Sequence, residues 1–391
     1  MMIKNPTEIF VYLVLLIFAI YKASQIKFLS KFFRYLPPVI WVYFLPMLSS
    51  ALGLIPRESE FYTWARTYLL PSALVLLLLS ANIPVIMKLG LKAIVMFLTG
   101  SFGIIIGGPI VLLIFERWLP PDAWKGLGAL SGSWMGGSAT MLAIAQSIGT
   151  PESLLAPLIV VDTVVGYGWM GIVIFLSAYQ DKVDEFNRVD KAILVELNKR
   201  MQEVKESKRR FLSFIDFATM ISISFVIGII SLKMGSILPE IGVIISHYTW
   251  GIIIATAIGV VLSFTKLSEL EHSGSTHVGN FMLYLLLASV GARANIYGIF
   301  ETPIFMLVGI VWIMIHAICL FVVGRLIKAP MFLMATSSQA NIGGPVTAPI
   351  VASVYQSALA PVGLLMAVAG NIIGIYGGLL CSQLCYIVSR F

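Results

Sequence analysis

Gly136-Gly137-Ser138-Ala139-Thr140 and Gly343-Gly344-Pro345-Val346-Thr347 are two versions of one five-residue word, 207 positions apart (343 minus 136) in a chain of 391 residues. Each interrupts an apolar stretch and follows small hydroxyl residues, and an Ala-Pro pair comes after each, Ala156-Pro157 and Ala360-Pro361. Glycine lets the backbone leave helical geometry and Pro345 lacks an amide donor, so both words read as breaks. Interrupted apolar segments at corresponding places in two halves point to the midplane site of a secondary transporter.

The rest of the chain supplies the solvent for such a site. Apolar residues make up 59% and charged residues 12%, against roughly 45–50% and about 25% in soluble domains. With a mean hydropathy of +0.95, most of the surface is expected to face lipid. The net charge of +7 sits in loops, where it reads as a topology signal and not as a nucleic-acid footprint. Cys319, Cys381 and Cys385 all lie in apolar stretches; the last two, at i and i+4, read as small helix-packing residues. No C-x-x-C or His-rich cluster suggests a metal.

Ten stretches have the length a helix needs to cross a bilayer, about 17–25 residues. They fall near 7–23, 36–55, 65–85, 92–115 and 153–178, then 213–234, 246–265, 276–293, 303–326 and 361–388. Lys22-Ala23-Ser24 after the first raises the question of a cleaved signal peptide. Its n-region holds only Lys4 against Glu8, so a retained helix is expected. Two further segments, about 125–149 and 331–356, carry the repeated word. The chain thus divides into a first transmembrane repeat (1–178), a charged linker (179–212) and a second transmembrane repeat (213–391). The linker carries nine basic and seven acidic residues, 16 of the chain's 45 charges. In it Val189, Ile193, Leu197, Met201 and Val204 recur at helical spacing, which predicts an amphipathic helix resting near the headgroups. A regulatory or oligomer contact is the alternative.

Loop charges set the expected topology. Lys22, Lys27, Lys31 and Arg34 follow the first span, Lys88 and Lys92 follow the third, and the linker is also basic; all three belong on the cytoplasmic side. They conflict if 125–149 crosses fully, because three crossings then separate Lys92 from the linker. A re-entrant hairpin entering from outside restores parity, and 331–356 then enters from the cytoplasm, with Lys266, Arg325 and Lys328 inside. Five spans plus one hairpin per half makes the halves inverted. A broken helix that crosses fully is the alternative. Two more matches support duplication: Leu79-Ser80-Ala81-Asn82-Ile83 with Ala292-Arg293-Ala294-Asn295-Ile296, and Asp162–Gly168 with Asn371–Gly377. Four matches in one order, at offsets between 204 and 213, argue against chance.

The segments around the two words carry the candidate ligands Ser131, Ser133, Gly136, Gly137, Ser138 and Thr140, and Ser337, Ser338, Gln339, Asn341, Gly343, Gly344 and Thr347. Unwound backbone at membrane depth survives only inside protein or beside a watery cavity. Its amides and carbonyls are then free to bind ions and polar solutes. Tight packing through small residues is the competing explanation, against which Thr140, Gln339, Asn341 and Thr347 weigh. Asp162 is the one carboxylate well inside an apolar span, and its repeat partner is Asn371. An intramembrane carboxylate faces the bundle interior and marks an ion or proton path. It could couple through protonation or, with carbonyl oxygens and Asn371, hold Na⁺; pairing with a backbone or hydroxyl donor for packing alone is the alternative. Asp216 lies near a span end beside basic residues, and His316 reads first as a hydrogen-bonded core histidine. His277 and Arg293 bracket one span, with snorkelling the expected role of Arg293 and an anionic solute the alternative. Trp41, Tyr43 and Trp312 read as interface or packing residues.

With these segments in hand, the chain resembles the YjcL-like family of uncharacterised multi-pass membrane proteins, over nearly its whole length and most clearly at 128–178 and 333–380. The resemblance implies membership of the cation:proton antiporter and anion transporter superfamily, with inverted repeats, a panel domain and a core domain. It also implies an ion and solute site at 131–140, Asp162, 337–347 and Asn371. Asn371 stands where a two-carboxylate exchanger would carry a second acid, a departure that argues against that mechanism. What the resemblance implies is an architecture and a transport class, not a substrate.

The expected fold is therefore all-α: about ten transmembrane helices plus two re-entrant or broken helices. The expected activity is elevator-type secondary transport of a small polar or anionic solute, coupled to Na⁺ or H⁺ and with no cofactor. A cation/proton exchanger is the runner-up. A membrane enzyme would need paired carboxylates, H-E-x-x-H or a Ser dyad at membrane depth, and a sensor would need a soluble domain larger than the linker. The expected setting is the cell inner membrane with the linker cytoplasmic. The expected partners are a solute and the bilayer, with a homodimer as the oligomer this design suggests and no nucleic acid.

Overall fold

The computed structural model describes residues 2–29, 32–33, 36–79, 81, 86–87, 89–190, 197, 210–294, 302–356 and 359–390. Among them the chain is helical. In order the helices are α1 Pro6–Ser24, α2 Pro38–Ala51, α3 Glu60–Leu79, α4 Leu91–Phe115, α5 Ala123–Ser147, α6 Glu152–Leu176 and α7 Gln180–Asn187. They continue as α8 Phe214–Gly235, α9 His247–Leu262, α10 Ser275–Arg293, α11 Thr302–Leu326, α12 Met331–Ile342, α13 Gly344–Tyr355 and α14 Ala360–Val388. Local chemistry sets several starts. Asn5 accepts from Thr7 N at α1, and Ser213 with Asp216 and Ser246 with Thr249 form capping boxes at α8 and α9, each tying down amides that open a helix.

Among the described residues seven helices are long and apolar enough to cross a membrane, or eight if a bent pair counts as one span, against the ten spans expected. The shortfall has physical causes. At 14 residues α2 reaches only about 21 Å, short of a hydrocarbon core of roughly 30 Å. α9 has 16 residues and leads through a 92° bend into the 3₁₀ segment Lys266–Ser273. α10 is diluted by Ser, Thr, His, Asn and Gly and is largely buried among other helices. α3 begins five residues before the expected start because Ser59 caps it, and it carries a π-helical turn at Ala65–Leu69.

The helices fall into two groups that pack mainly within themselves. α1, α2, α3, α8, α9 and α10 form the first, and α4, α5, α6 and α11–α14 the second. Close approaches define the first group: Gly291 has no room for a Cβ against the Tyr43 carbonyl, and Gly235 of α8 sits against Gly251 of α9. Tyr21 stacks on Tyr284 at 5.1 Å, joining α1 to α10. In the second group Cys381 and Cys385 pack beside Gly108, as small residues do.

Both segments that carry the repeated word are hairpins. In α5 the helix breaks at Gly137 (φ 80, ψ −176). Thr150 Oγ1 donates to Lys125 O at 3.3 Å, so the two ends of α5 lie together. A Cβ on Gly132 would fall 3.2 Å from Thr140 O, whereas eight residues of straight helix span about 12 Å. α12 and α13 turn at Gly343–Gly344, with Gly344 at φ 65, and Gln339 Nε2 donates to Thr347 Oγ1 at 2.9 Å across the turn. Both ends of this second hairpin lie at the far end of α6 and α7. Met331 N donates to Asp184 Oδ1 at 2.7 Å and Tyr355 OH to Val173 O at 2.6 Å.

Of the linker only 179–190, 197 and 210–212 are described, so the expected amphipathic helix falls largely outside the described residues. α7 covers 180–187 and ends at Arg188, whose φ of 54 is left-handed; Val189 and Asp190 are not helical, and Ile193, Met201 and Val204 lie outside the described residues. α7 docks on the base of the second hairpin, with Asn187 Nδ2 donating to Ala329 O at 3.2 Å and Phe186 stacked on Phe321. Of the repeat matches, Ser80, Asn82, Ile83, Asn295 and Ile296 also lie outside the described residues.

The backbone at Gly137 occupies a region nearly closed to other residues, at a cost of order 1–3 kcal/mol. Gly137→Ala is expected to lower the melting temperature of the purified protein by several degrees, and Gly168→Ala, a helical position with open space around it, to leave it unchanged. Equal melting temperatures for the two variants would mean that the first hairpin does not depend on this turn.

Candidate functional site

The site starts where α4 crosses α11. Gly100, Gly103 and Gly107 clear the crossing: a Cβ on Gly103 would fall 3.0 Å from His316 Cα, and one on Gly107 would meet the Trp312 indole. Trp312 Nε1 donates to Ile104 O at 2.9 Å. His316, fully buried, lies with Nδ1 2.8 Å from Gly100 O and Nε2 2.9 Å from Ser338 Oγ. A carbonyl only accepts, so Nδ1 carries the proton and Nε2 accepts from the Ser338 hydroxyl. Ser338 Oγ in turn accepts from Trp169 Nε1 at 2.8 Å. One polar chain thus ties α4, α11, α6 and the second hairpin together. His316 is the hydrogen-bonded core histidine the sequence suggested, placed at the hairpin.

Asn341 pins the same hairpin to α4. Its Oδ1 accepts from Ser101 Oγ at 2.7 Å, and its Nδ2 donates to Phe97 O and Ser337 O at 3.2 and 2.9 Å. Its hydrogen-bonding groups are engaged by protein, so in this conformation it acts as a fastener.

α14 brings the two hairpins together. Ser337 Oγ contacts Met366 Sδ at 3.6 Å, one turn before Gly370, which has no room for a Cβ against the Met135 carbonyl. A Cβ on Gly374 would fall 2.8 Å from Gly136 Cα. Four residues of helix rise about 6 Å, so both hairpins meet α14 within one turn. Trp134 of the first hairpin packs edge-on against Trp312 of α11 at 4.9 Å.

Asp162 is half-buried on α6, and its Oδ2 accepts from Ser133 Oγ at 2.9 Å. The Trp134 indole adjoins that carboxylate, with its buried N–H outside hydrogen-bonding geometry. The side chain of Asn371, half-buried on α14, makes no hydrogen bond among the described residues. The two do not bond to each other. Asp162 touches the first hairpin, and so do Gly370 and Gly374 on either side of Asn371. The expected acid/amide pair is thus two separate positions flanking one hairpin.

The other candidates divide by what their polar atoms do. Ser131 and Thr140 donate back to Gly128 O and Gly136 O, a local bond common for hydroxyls in helices. Thr347 is occupied by Gln339. Three oxygens are left over: Gln339 Oε1 and Thr336 Oγ1 are buried without a partner, and half-buried Ser138 has none among the described residues. The turn at Gly343 and Gly344 is half-buried, with Val346 beyond it 70% exposed. Buried oxygens without donors are costly and fit a cation or a solute N–H or O–H. Among the described residues no three His, Cys, Asp or Glu side chains converge as a metal-ligand set, so Na⁺ would have to be held mainly by hydroxyl, amide and carbonyl oxygens.

Sequence reasoning missed Ser101 and Trp169. A lone serine in an apolar span carries no signal. Outside the site, Asp216 is a helix cap held by Arg210 at 2.7 Å and Ser273 at 3.0 Å. Arg293 does not simply snorkel, because its Nε lies 3.2 Å from Glu152 Oε1. Tyr43 and Trp312 are buried packing residues.

Asn341→Ala removes its bonds to Ser101 Oγ, Phe97 O and Ser337 O and leaves Ser101 Oγ only its longer bond to Phe97 O at 3.3 Å, a loss on the order of 1–3 kcal/mol. The variant is expected to melt several degrees lower, and the double variant Asn341→Ala/Ser101→Ala to lose less than the sum of the singles. Additive losses would show that the two side chains are not coupled.

Residues 9–388 match the family described as "Protein of unknown function (DUF819)". The chain is also 23% identical over 348 residues to the "Uncharacterized membrane protein YjcL" of Bacillus subtilis (strain 168), with 85% of each chain covered. The chain belongs to the DUF819 family and is a multi-pass membrane protein.

Proposed function

We propose that this DUF819 protein is a secondary active transporter that moves a small polar or anionic solute, coupled to Na⁺ or H⁺. The observation that carries this reading is the meeting of two broken-helix hairpins at α14 and α4, with Gln339 Oε1 and Thr336 Oγ1 buried and unpaired beside them. Discontinuous helices at the interface of two repeats are where such transporters bind substrate and ion. The order of elements supports two repeats: α1–α6 and α8–α14 each run through three helices, one long helix, a hairpin and a final helix. An odd number of crossings per repeat inverts one against the other. The first helix group then serves as the panel and the second as the core, and the solute moves as the core slides against the panel. On this reading the protein lies in the inner membrane with 179–212 cytoplasmic and pairs as a homodimer.

Asp162 is the ion-coupling residue, exchanging its Ser133 donor for a proton or Na⁺. Ser138, Gln339, Thr347 and the turns at Gly136–Gly137 and Gly343–Gly344 face the solute, and Asn371 adds an amide from α14. A cation/proton exchanger without organic solute is the second reading, favoured by the saturation of Asn341.

Reconstituted protein in vesicles tests both readings, with imposed Na⁺ or pH gradients and candidate solutes. Asp162→Asn is expected to abolish gradient-driven flux and Gln339→Leu to weaken solute binding by about tenfold or more, the cost of one buried hydrogen bond. Ion exchange that Gln339→Leu leaves untouched would favour the exchanger, and flux unaffected by Asp162→Asn would contradict both.

A further inference from the structure

A second polar cluster lies about 15 Å along α6 from Asp162, ten residues away at Glu152. A small cleft there is lined by Tyr62, Arg66, Gln146, Glu152, Ser289 and Arg293. Arg66 and Arg293 belong to the first helix group, and Gln146 and Glu152 to the second. Arg293 Nε lies 3.2 Å and Arg66 Nη1 3.9 Å from the same oxygen, Glu152 Oε1. Two guanidinium groups therefore share one carboxylate, leaving a local excess of one positive charge. Tyr248 OH donates to Gln146 Oε1 at 2.8 Å. That bond fixes the amide, and Gln146 Nε2 is buried with no partner. The cleft has room for about one water-sized group, so no solute fits beside Glu152 as it stands.

We propose that this cleft is a binding site for a small carboxylate anion, and that Glu152 is its resident competitor. A carboxylate matches the two forks of Arg66 and Arg293, supplies the acceptor Gln146 Nε2 lacks, and neutralises the excess charge once Glu152 swings into water. Glu152 marks the geometry because it is itself a carboxylate held by both arginines. The ion pairs join the two helix groups, so an incoming anion also unlatches one group from the other. That consequence rests on the transport reading above; the binding does not.

The test is thermal unfolding of the purified full-length protein, titrated with acetate or succinate against sodium chloride at matched ionic strength. A saturable stabilisation by the carboxylates is expected. Glu152→Gln is expected to tighten the apparent affinity by up to about fivefold, the worth of a partly exposed ion pair. Arg293→Gln is expected to weaken it by about tenfold or more, the worth of a hydrogen bond to a charged group, with Arg293→Lys in between. A gain of affinity in Glu152→Gln cannot come from misfolding. No saturable shift in either wild type or Glu152→Gln, or an affinity indifferent to Arg293→Gln, overturns the site; equal stabilisation by sulfate overturns the carboxylate assignment. If succinate binds but Asp162-dependent flux is absent, the transport reading falls and this site stands. If flux is present and succinate does not bind, the reverse holds.

Discussion

A polypeptide that turns back on itself within a bundle of membrane-spanning helices leaves amides and carbonyls without helical partners, and lipid offers them nothing. That constraint organises the second helix group. The hairpins pack against α4, α11 and α14 while the turns at Gly137 and Gly343–Gly344 stay half-buried, and polar side chains from α4 and α11 hold the second hairpin. Ser101 holds Asn341, and His316 holds Ser338. Gly100, Gly103, Gly370 and Gly374 have no side chain because a hairpin or a crossing helix occupies the space.

The polar side chains around the hairpins divide into those with hydrogen-bond partners and those without. Asn341, Ser338 and His316 use their hydrogen-bonding groups on one another and on α4, α6 and α11, so they hold the second hairpin in place. Gln339 Oε1, Thr336 Oγ1 and Ser138 stay unpaired nearby. α14 runs between both hairpins, while α6 lies further out with Val164, Ile172 and Phe175 exposed. Asp162 is accordingly half-buried on an outer helix and Asn371 lies on a central one, although the sequence presents them as equivalent.

Much of this was legible in the sequence. Helix ends matched the apolar stretches to within a few residues at α4, α6, α11 and α14, because long apolar runs leave little else for the chain to do. The hairpins were legible through charge: Lys92 and the basic linker could not share a side if 125–149 crossed. Three features were hidden. The helix at 180–187 precedes the expected amphipathic run, because Arg188 in the left-handed region ends it. Ser101 and Trp169 join the site only through tertiary packing, which no local pattern encodes. The Glu152 cluster draws on α3, α5, α6, α9 and α10, and its charges looked like ordinary loop charges until folding put two arginines on one carboxylate.

Alternating exposure of the hairpin turns is the central claim, and the position that reads it most directly is Ser138, half-buried and with no side-chain hydrogen bond among the described residues. In a background with Cys319, Cys381 and Cys385 replaced by alanine, Ser138→Cys would be labelled in oriented vesicles with a membrane-impermeant thiol reagent from each face, under opposed Na⁺ and pH gradients. The account predicts labelling from one face under one gradient and from the opposite face when the gradient is reversed. Labelling from a single face under every condition would contradict it.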